Sequence, residues 1–413
     1  MFFYVFFTIF LGFVAYLDLI RRKLPKGPYP FPIIGNIPQV AYYSLKNGGT
    51  VGAFNEIGKM YGKVFTIWLG PLPTVYITDY DNAYETHVRQ AHNYSTRFAP
   101  GFMQYIRKGR GIISSNGDFW QEHRRFSLQT FRNFGVGRTL MEDKIMNELD
   151  WVLEDFEKFQ KSKEIVVENS FFDLLVGSII NQLLVSEPFN VIFNEMKTTK
   201  NVYIHDYCVD HIKRRVSNPS TSEEHNDYID AYLDKIEKNK VDANNNVPVD
   251  IGTLTIDMMD LWIAGQETTA TTLTWAGICL LNNPEVQKKA RKEILELTGG
   301  TRHLSLGDKK NTPYLNAVIN EVQRVASILN EFRPERFLEN DQLEKVIIPF
   351  EIGKRACLGE SLARAELYLI LGNMLLRYEM QSGDGKIPRI ESSATFAILR
   401  RPPTYKVKFV PVD

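Results

Sequence analysis

Cysteine is scarce in this chain. There are three in 413 residues, Cys208, Cys279 and Cys357, too few and too far apart for a disulfide framework. That excludes the small secreted scaffolds and puts the folded part in a reducing compartment. An excess of either charge is lacking as well. Lysine plus arginine number 49, as do aspartate plus glutamate, and the formal net charge is zero. A balanced chain has no electrostatic reason to seek nucleic acid. No Gly-x-Gly-x-x-Gly follows a strand, so the chain brings no nicotinamide or flavin site of its own. No internal repeat is visible, which sets aside solenoids and propellers.

What is there is globular: 44% of residues are hydrophobic and 12% aromatic, enough for a large core. Met1 to Ile20 is apolar apart from Asp18, and Arg21, Arg22 and Lys23 follow at once. Such a run is just long enough to span a thin bilayer as a helix. With the basic cluster on its C-terminal side and no lysine or arginine before it, the positive-inside rule leaves the body in the cytosol. A cleaved signal peptide would want a basic start and a small-residue cleavage site, and neither is visible. The expected layout is an anchor over 1–20, a basic and proline-rich hinge over 21–38, and a single folded body over 39–413. Asn93-Tyr94-Ser95 fits a glycosylation sequon that a cytosolic body would leave unused.

Val64–Leu69 and Thr74–Thr78 flank Gly70-Pro71-Leu72-Pro73 and predict a β-hairpin. Asp118–Phe134, Met141–Lys161 and Leu254–Leu281 lack internal proline and read as long helices, the third stopped by Asn282-Asn283-Pro284. Asn244-Asn245-Asn246 is a polar break before it. The fold class is mainly α with a small β-sheet region.

The strongest chemical signal is Phe350-Glu-Ile-Gly353-Lys-Arg355-Ala-Cys357-Leu-Gly359 with a helical pattern from Ser361. A sulfur that ligates a metal must stay deprotonated. A helix starting just after it lowers the thiol pKa, and glycines let backbone N–H groups turn toward it. Phe350 can screen the sulfur from water, and Arg355 offers a fork for a carboxylate. A buried, inert cysteine is the bland alternative, but it leaves the neighbouring residues unexplained. A second signal is Ala264-Gly265-Gln266-Glu267-Thr268-Thr269. Glycine and hydroxyls in mid-helix weaken the backbone ladder, and an acid beside an alcohol can relay protons. Alone, this stretch reads equally as a polar helix face.

The cysteine loop resembles the signature of the cytochrome P-450 superfamily, Phe-x-x-Gly-x-Arg-x-Cys-x-Gly, at all five fixed positions. The resemblance implies the cytochrome P-450 fold and haem b, with Cys357 as the axial thiolate whose electron density favours O–O cleavage. It implies that Phe350, Gly353, Arg355 and Gly359 shape the haem site, and that Glu267 and Thr268 deliver protons. Trp120-Gln-Glu-His-Arg124 matches Trp-x-x-x-Arg, whose side chains contact haem propionates in the family, and Tyr94-Ser-Thr-Arg97 is similar to another propionate-binding site. Glu321-Val-Gln-Arg324 and Pro334-Glu-Arg336-Phe337 match segments whose three charges lock together. The motifs come in the family's order over essentially the whole chain, and Pro313 to Arg324 looks like the animal microsomal members. Such members insert one oxygen atom of O₂ into small apolar substrates such as drugs, steroids and fatty acids. They sit in the endoplasmic reticulum membrane and draw electrons from an NADPH-dependent haemoprotein reductase, with cytochrome b5 as a further partner.

His205-x-x-Cys208-x-x-His211 could suggest zinc. At helical spacing the three fan over about a third of the circumference, and an ordinary satisfied cluster is the expectation.

The chain also departs from the family. Glu321 and Pro334 are thirteen positions apart, where the family has several dozen residues forming most of the central sheet, part of the substrate wall and one more haem contact. Val325–Asn330 runs straight into Glu331–Phe337, as a skipped exon or a faulty gene model would produce. A second shortening falls between Glu187 and Lys200. Losing inner strands exposes apolar faces and unpaired backbone groups. A rival expectation follows: a non-catalytic or misfolded shortened variant.

Overall fold

The computed structural model describes residues 2–136, 139–162, 164–168, 170–188, 204–219, 225–241, 247–327, 331–391 and 400–412. The polar break at Asn244–Asn246, most of the shortened stretch from Glu187 to Lys200, and Asn330 at the abrupt join lie outside the described residues.

Two strands form the expected hairpin, β1 (Val64–Leu69) and β2 (Leu72–Ile77), antiparallel with Leu69 opposite Leu72 and Val64 opposite Ile77. The second strand starts two residues earlier than the sequence suggests, because Gly70 at φ 63° lets Gly70-Pro71 close the turn alone. Pro73 is tolerated because its partner Trp68 aims its backbone groups the other way. The Trp68 N–H donates to Asn36 Oδ1 at 2.8 Å, and its carbonyl accepts from the Asn36 N–H at 2.7 Å. The Thr66 N–H likewise donates to the Lys26 carbonyl at 3.1 Å. The proline-rich segment is therefore strapped along β1 instead of hanging as a free linker.

Beyond the expected hairpin there is a second sheet. β3 (Ile165–Glu168), β4 (Tyr378–Ser382) and β5 (Lys406–Pro411) pair antiparallel in the order β3-β5-β4. β3 is only four residues long, and its partner lies at the far end of the chain, so no local pattern announces it.

The long helices form close to where periodicity puts them: Gly117–Asn133, Thr139–Gln160 and Ile251–Asn282. Asp250 caps the third, its carboxylate accepting from the Thr253 N–H at 2.7 Å. It ends where Pro284 opens the next helix, Pro284–Thr298. This central helix packs against Phe171–Val185, a helix buried nearly all round. Gly265 sits on this contact, where a Cβ would meet Ile180 Cδ1 at 2.7 Å. Close packing is the reason for this glycine, not a weakened helix.

The N-terminal segment is one helix, Phe2–Arg21, and Asp18 near its end is bonded to Arg21 and Arg22 at 3.0 and 2.8 Å. Among the described residues no helix is long and apolar enough to cross a membrane. The helix covers the stretch expected as an anchor over 1–20, with Asp18 and its two basic partners at its C-terminal end.

The charges of Glu321, Arg324 and Arg336 do lock together. Glu321, fully buried, takes Arg324 Nε at 2.7 Å and Nη2 at 2.8 Å on its two oxygens, and Arg336 Nε at 3.0 Å. The Arg333 backbone N–H adds a fourth bond at 2.8 Å.

Candidate active site

Cys357 lies in the loop that leads into the helix Glu360–Arg377. The loop is closed by its own backbone: the Cys357 N–H donates to the Phe350 carbonyl at 2.8 Å, and the Ala356 N–H to the Gly353 carbonyl at 3.1 Å. Gly353 has φ 83°, and a Cβ there would stand 1.9 Å from the His87 carbonyl oxygen, so only glycine fits. At Gly359 a Cβ would meet nothing within 4 Å, which leaves the flank of the sulfur open. Phe350 is half-buried, with the Arg364 guanidinium 4.7 Å from its ring centre.

Cys357 is accessible, whereas Cys208 and Cys279 are buried. The helix start does not by itself make a thiolate. The protein around the loop pushes the Cys357 thiol up, and the Gly359 N–H and the Arg124 charge pull it back only in part. Full deprotonation needs the charge of a coordinated metal ion. The other two thiols are pushed up by burial to about 12, and Cys208 packs between an exposed His205 and a His211 whose ring is paired with Arg214 at 3.1 Å.

Three arginines and a tryptophan gather beside the loop. Trp120 and Arg124 stand one turn apart on Gly117–Asn133, with the guanidinium 5.7 Å from the indole ring centre. Arg355 stacks on the same ring at 3.7 Å. Arg124 Nη2 donates to the carbonyl of Ala356, the residue before the cysteine, at 2.5 Å. Arg97 reaches the Ile113 carbonyl at 3.0 Å and Glu351 at 3.4 Å. Burial, then Arg97 and Arg124, lower the Arg355 guanidinium to about 10.

Asn116 ties this cluster, a role the sequence did not suggest. Its Oδ1 accepts from the Arg97 N–H at 2.7 Å and from Arg355 Nη2 at 2.8 Å, and its Nδ2 donates to the Arg97 carbonyl at 2.9 Å. An asparagine before a helix reads as an N-cap, yet its side chain caps nothing here.

These residues fit haem b. Arg355 Nε and Nη2 are bonded to the Ser95 and Ser115 carbonyls at 2.6 and 2.8 Å, while its Nη1 is buried without a partner. An unpaired buried guanidinium nitrogen is costly, and an acidic propionate among three arginines would satisfy it.

Glu267 and Thr268 stand on the central helix, and their hydrogen bonds run elsewhere than to this cluster. Glu267 accepts from Arg401 Nη2 at 2.8 Å, and the Thr268 hydroxyl donates back to the Ala264 carbonyl at 2.8 Å. Neither is bonded to the other. Ile263, Ala264 and Thr268 are exposed on a helix that is otherwise mostly buried. The middle of this helix therefore presents an open face.

Comparison with known proteins gives the family. The cytochrome P-450 family model matches residues 25–203, 191–331 and 330–409. A probable cytochrome P-450 of Caenorhabditis elegans, cyp-35D1, is 33% identical over 94% of this chain and 95% of its own. Cytochrome P-450 2C20 of Macaca fascicularis is 31% identical, and human cytochrome P-450 2C8 30% identical, each over 95% of both chains. The first of these alignments is 476 positions long, more than the 413 residues present here. The relatives thus carry internal segments with no counterpart in this chain, and the family match breaks at the two joins where shortening is expected.

Proposed function

This chain belongs to the cytochrome P-450 family, and on that premise we propose that it inserts one atom of O₂ into a small apolar molecule, such as a drug, steroid or fatty-acid-like substrate, and reduces the other to water. Family membership makes it a haem-dependent monooxygenase whose cofactor is haem b held by a cysteine thiolate. The observation that carries the reading is the unsatisfied buried nitrogen of Arg355, set among Arg97, Trp120 and Arg124 beside the Cys357 loop.

In this reading Cys357 Sγ holds the iron, and Arg97, Trp120, Arg124 and Arg355 hold the propionates. Phe350 shields the sulfur, Gly353 sets the loop, and Gly359 leaves its flank clear. Bound haem supplies the activation of O₂. The exposed Thr268 hydroxyl would hold a proton on the open face of the helix, and Glu267, once released from Arg401, would replenish it from solvent. Electrons come from NADPH through a separate haemoprotein reductase, with cytochrome b5 as an additional donor, because the sequence holds no nucleotide-binding loop. The helix Phe2–Arg21 and the basic residues behind it attach the protein to the endoplasmic reticulum membrane, with the body in the cytosol.

The test is reconstitution of the full chain with haem and reductase, offered a panel of apolar substrates. Oxygenated product formed at the expense of NADPH is expected; none from any substrate would defeat the proposal. The rival, a variant that folds partly or binds haem without turnover, draws support from β2, which pairs with β1 alone among the described residues. A longer transcript between Asn330 and Glu331 together with absent turnover would favour it.

A further inference from the structure

Trp120 and Arg124 meet the cysteine loop from the helix Gly117–Asn133. His123 lies between them in sequence and is turned inward. Its ring is fully buried, as is Asp257 of the central helix, and His123 Nδ1 stands 2.8 Å from Asp257 Oδ2. Phe119 stacks on the ring at 4.2 Å, and the Tyr232 hydroxyl lies 3.4 Å from Nδ1. One turn further on, Ser127 Oγ and the Tyr228 hydroxyl are 2.8 Å apart, also buried. Both tyrosines belong to the helix Tyr228–Val241.

A polar pair this deep is a costly contact. Burial raises the Asp257 carboxyl, and the His123 ring pulls it back only in part. Asp257 Oδ1 and His123 Nε2 are left buried without a partner. Two apolar side chains of similar volume would stabilise the fold about as well. What a directional bond adds is position. Apolar surfaces slide past one another at small cost, whereas a slip of about 1 Å breaks a hydrogen bond of 2.8 Å. Arg124 is the next residue in the chain, and its bond to the Ala356 carbonyl, beside Cys357, depends on where this helix sits.

We propose that His123 and Asp257 are positioning residues, which fix the helix Gly117–Asn133 against the central helix so that Trp120 and Arg124 meet the haem propionates. The inference rests on the reading of those two residues as propionate partners. Groups that hold a cofactor must stay within about 0.5 Å of their working place, and buried bonds behind them supply that precision. The pair touches neither haem nor substrate and acts through its neighbours on the helix.

Two measurements on the full-length, haem-loaded protein test this. One is the rate of haem transfer to excess apomyoglobin. The other is the propionate band in the resonance Raman spectrum, which shifts when hydrogen bonds to the propionates change. His123→Leu combined with Asp257→Val removes the bond without leaving a buried charge. This double variant should release haem about tenfold faster than the parent and move the band in the direction that Arg124→Gln moves it. His123→Asn, whose amide nitrogen takes the place of Nδ1, keeps a hydrogen bond and should stay within about twofold of the parent. A parent-like rate and band in the double variant would overturn the proposal. So would equal losses in His123→Asn and the double variant, since the bond survives only in the first. If the double variant takes up no haem, Asp257→Leu is read by the same two measurements, and the same outcomes decide. A shifted double variant beside an unshifted Arg124→Gln supports the positioning pair, acting through Trp120, and sinks Arg124 as a propionate partner. The reverse overturns the pair and leaves that reading standing.

Discussion

Arg336 donates to the buried carboxylate of Glu321 at 3.0 Å, although only thirteen positions separate Glu321 from Pro334. With Arg324 and the Arg333 N–H on the same carboxylate, every charge of the group has a partner. Removing the negative charge leaves two guanidiniums facing a neutral group. Glu321→Gln should lower the unfolding free energy by about 3–5 kcal/mol, read as a lower urea midpoint at unchanged slope. An unchanged midpoint would show that the network carries no stability.

The cysteine assignment has a spectroscopic test. Reduced, carbon-monoxide-bound protein should show the red-shifted Soret band of a thiolate ligand. Cys357→Ser should abolish it, while Cys208→Ser and Cys279→Ser, both buried in packing contacts, should leave it. Persistence of the band in Cys357→Ser would sink the assignment.

The two loop glycines should behave differently. Gly353→Ala forces a side chain onto a φ of 83° and against the His87 carbonyl, at a cost of about 2 kcal/mol or more. Haem retention on a desalting column should fall sharply. Gly359→Ala meets no atom and should stay within about 0.5 kcal/mol of the parent. Equal losses from both would contradict the geometry.

Glu366 gives a pH dependence. Its side chain is buried, one oxygen lacks any partner, and burial raises its pKa to about 8 despite the Thr269 hydroxyl. The folded state therefore keeps a proton that the unfolded chain releases above its ordinary value of 4.5. Between that value and about 8 the folded protein binds more protons, so this group's contribution to stability declines as pH rises through the window. Glu366→Gln should flatten that part of the stability profile and be the more stable form at pH 9. A profile with the same slope in both proteins would refute the buried neutral acid.

Membrane attachment is tested by deletion. Without residues 2–23 much of the protein should appear in the soluble fraction, with some retained by other apolar surface. Extraction of the intact protein by alkaline carbonate would show that the helix lies on the bilayer and does not span it.

The sequence by itself determined the family and the build of the loop around Cys357. A loop of ten residues has its glycines, arginine and cysteine at spacings that local backbone geometry dictates, and the long helices follow from the apolar period and the absence of proline. The paired charges of Glu321, Arg324 and Arg336 were legible for the same reason, since two of them sit one helical turn apart. Both shortened joins were legible too, as motifs standing too close together.

Tertiary structure alone decided the rest. β3 and β5 meet from opposite ends of the chain, and no periodicity within four residues can name a partner. Asn116 looks like a helix cap until Arg97 and Arg355 arrive from distant segments to use it. Gly265 reads as a weak point in a helix until Ile180 closes on it. Glu267 and Thr268 are neighbours in sequence, yet packing hands one to Arg401 and turns the other back on its own helix. In each case local spacing limits what a side chain can reach, and only the packed neighbours settle which of those contacts is made.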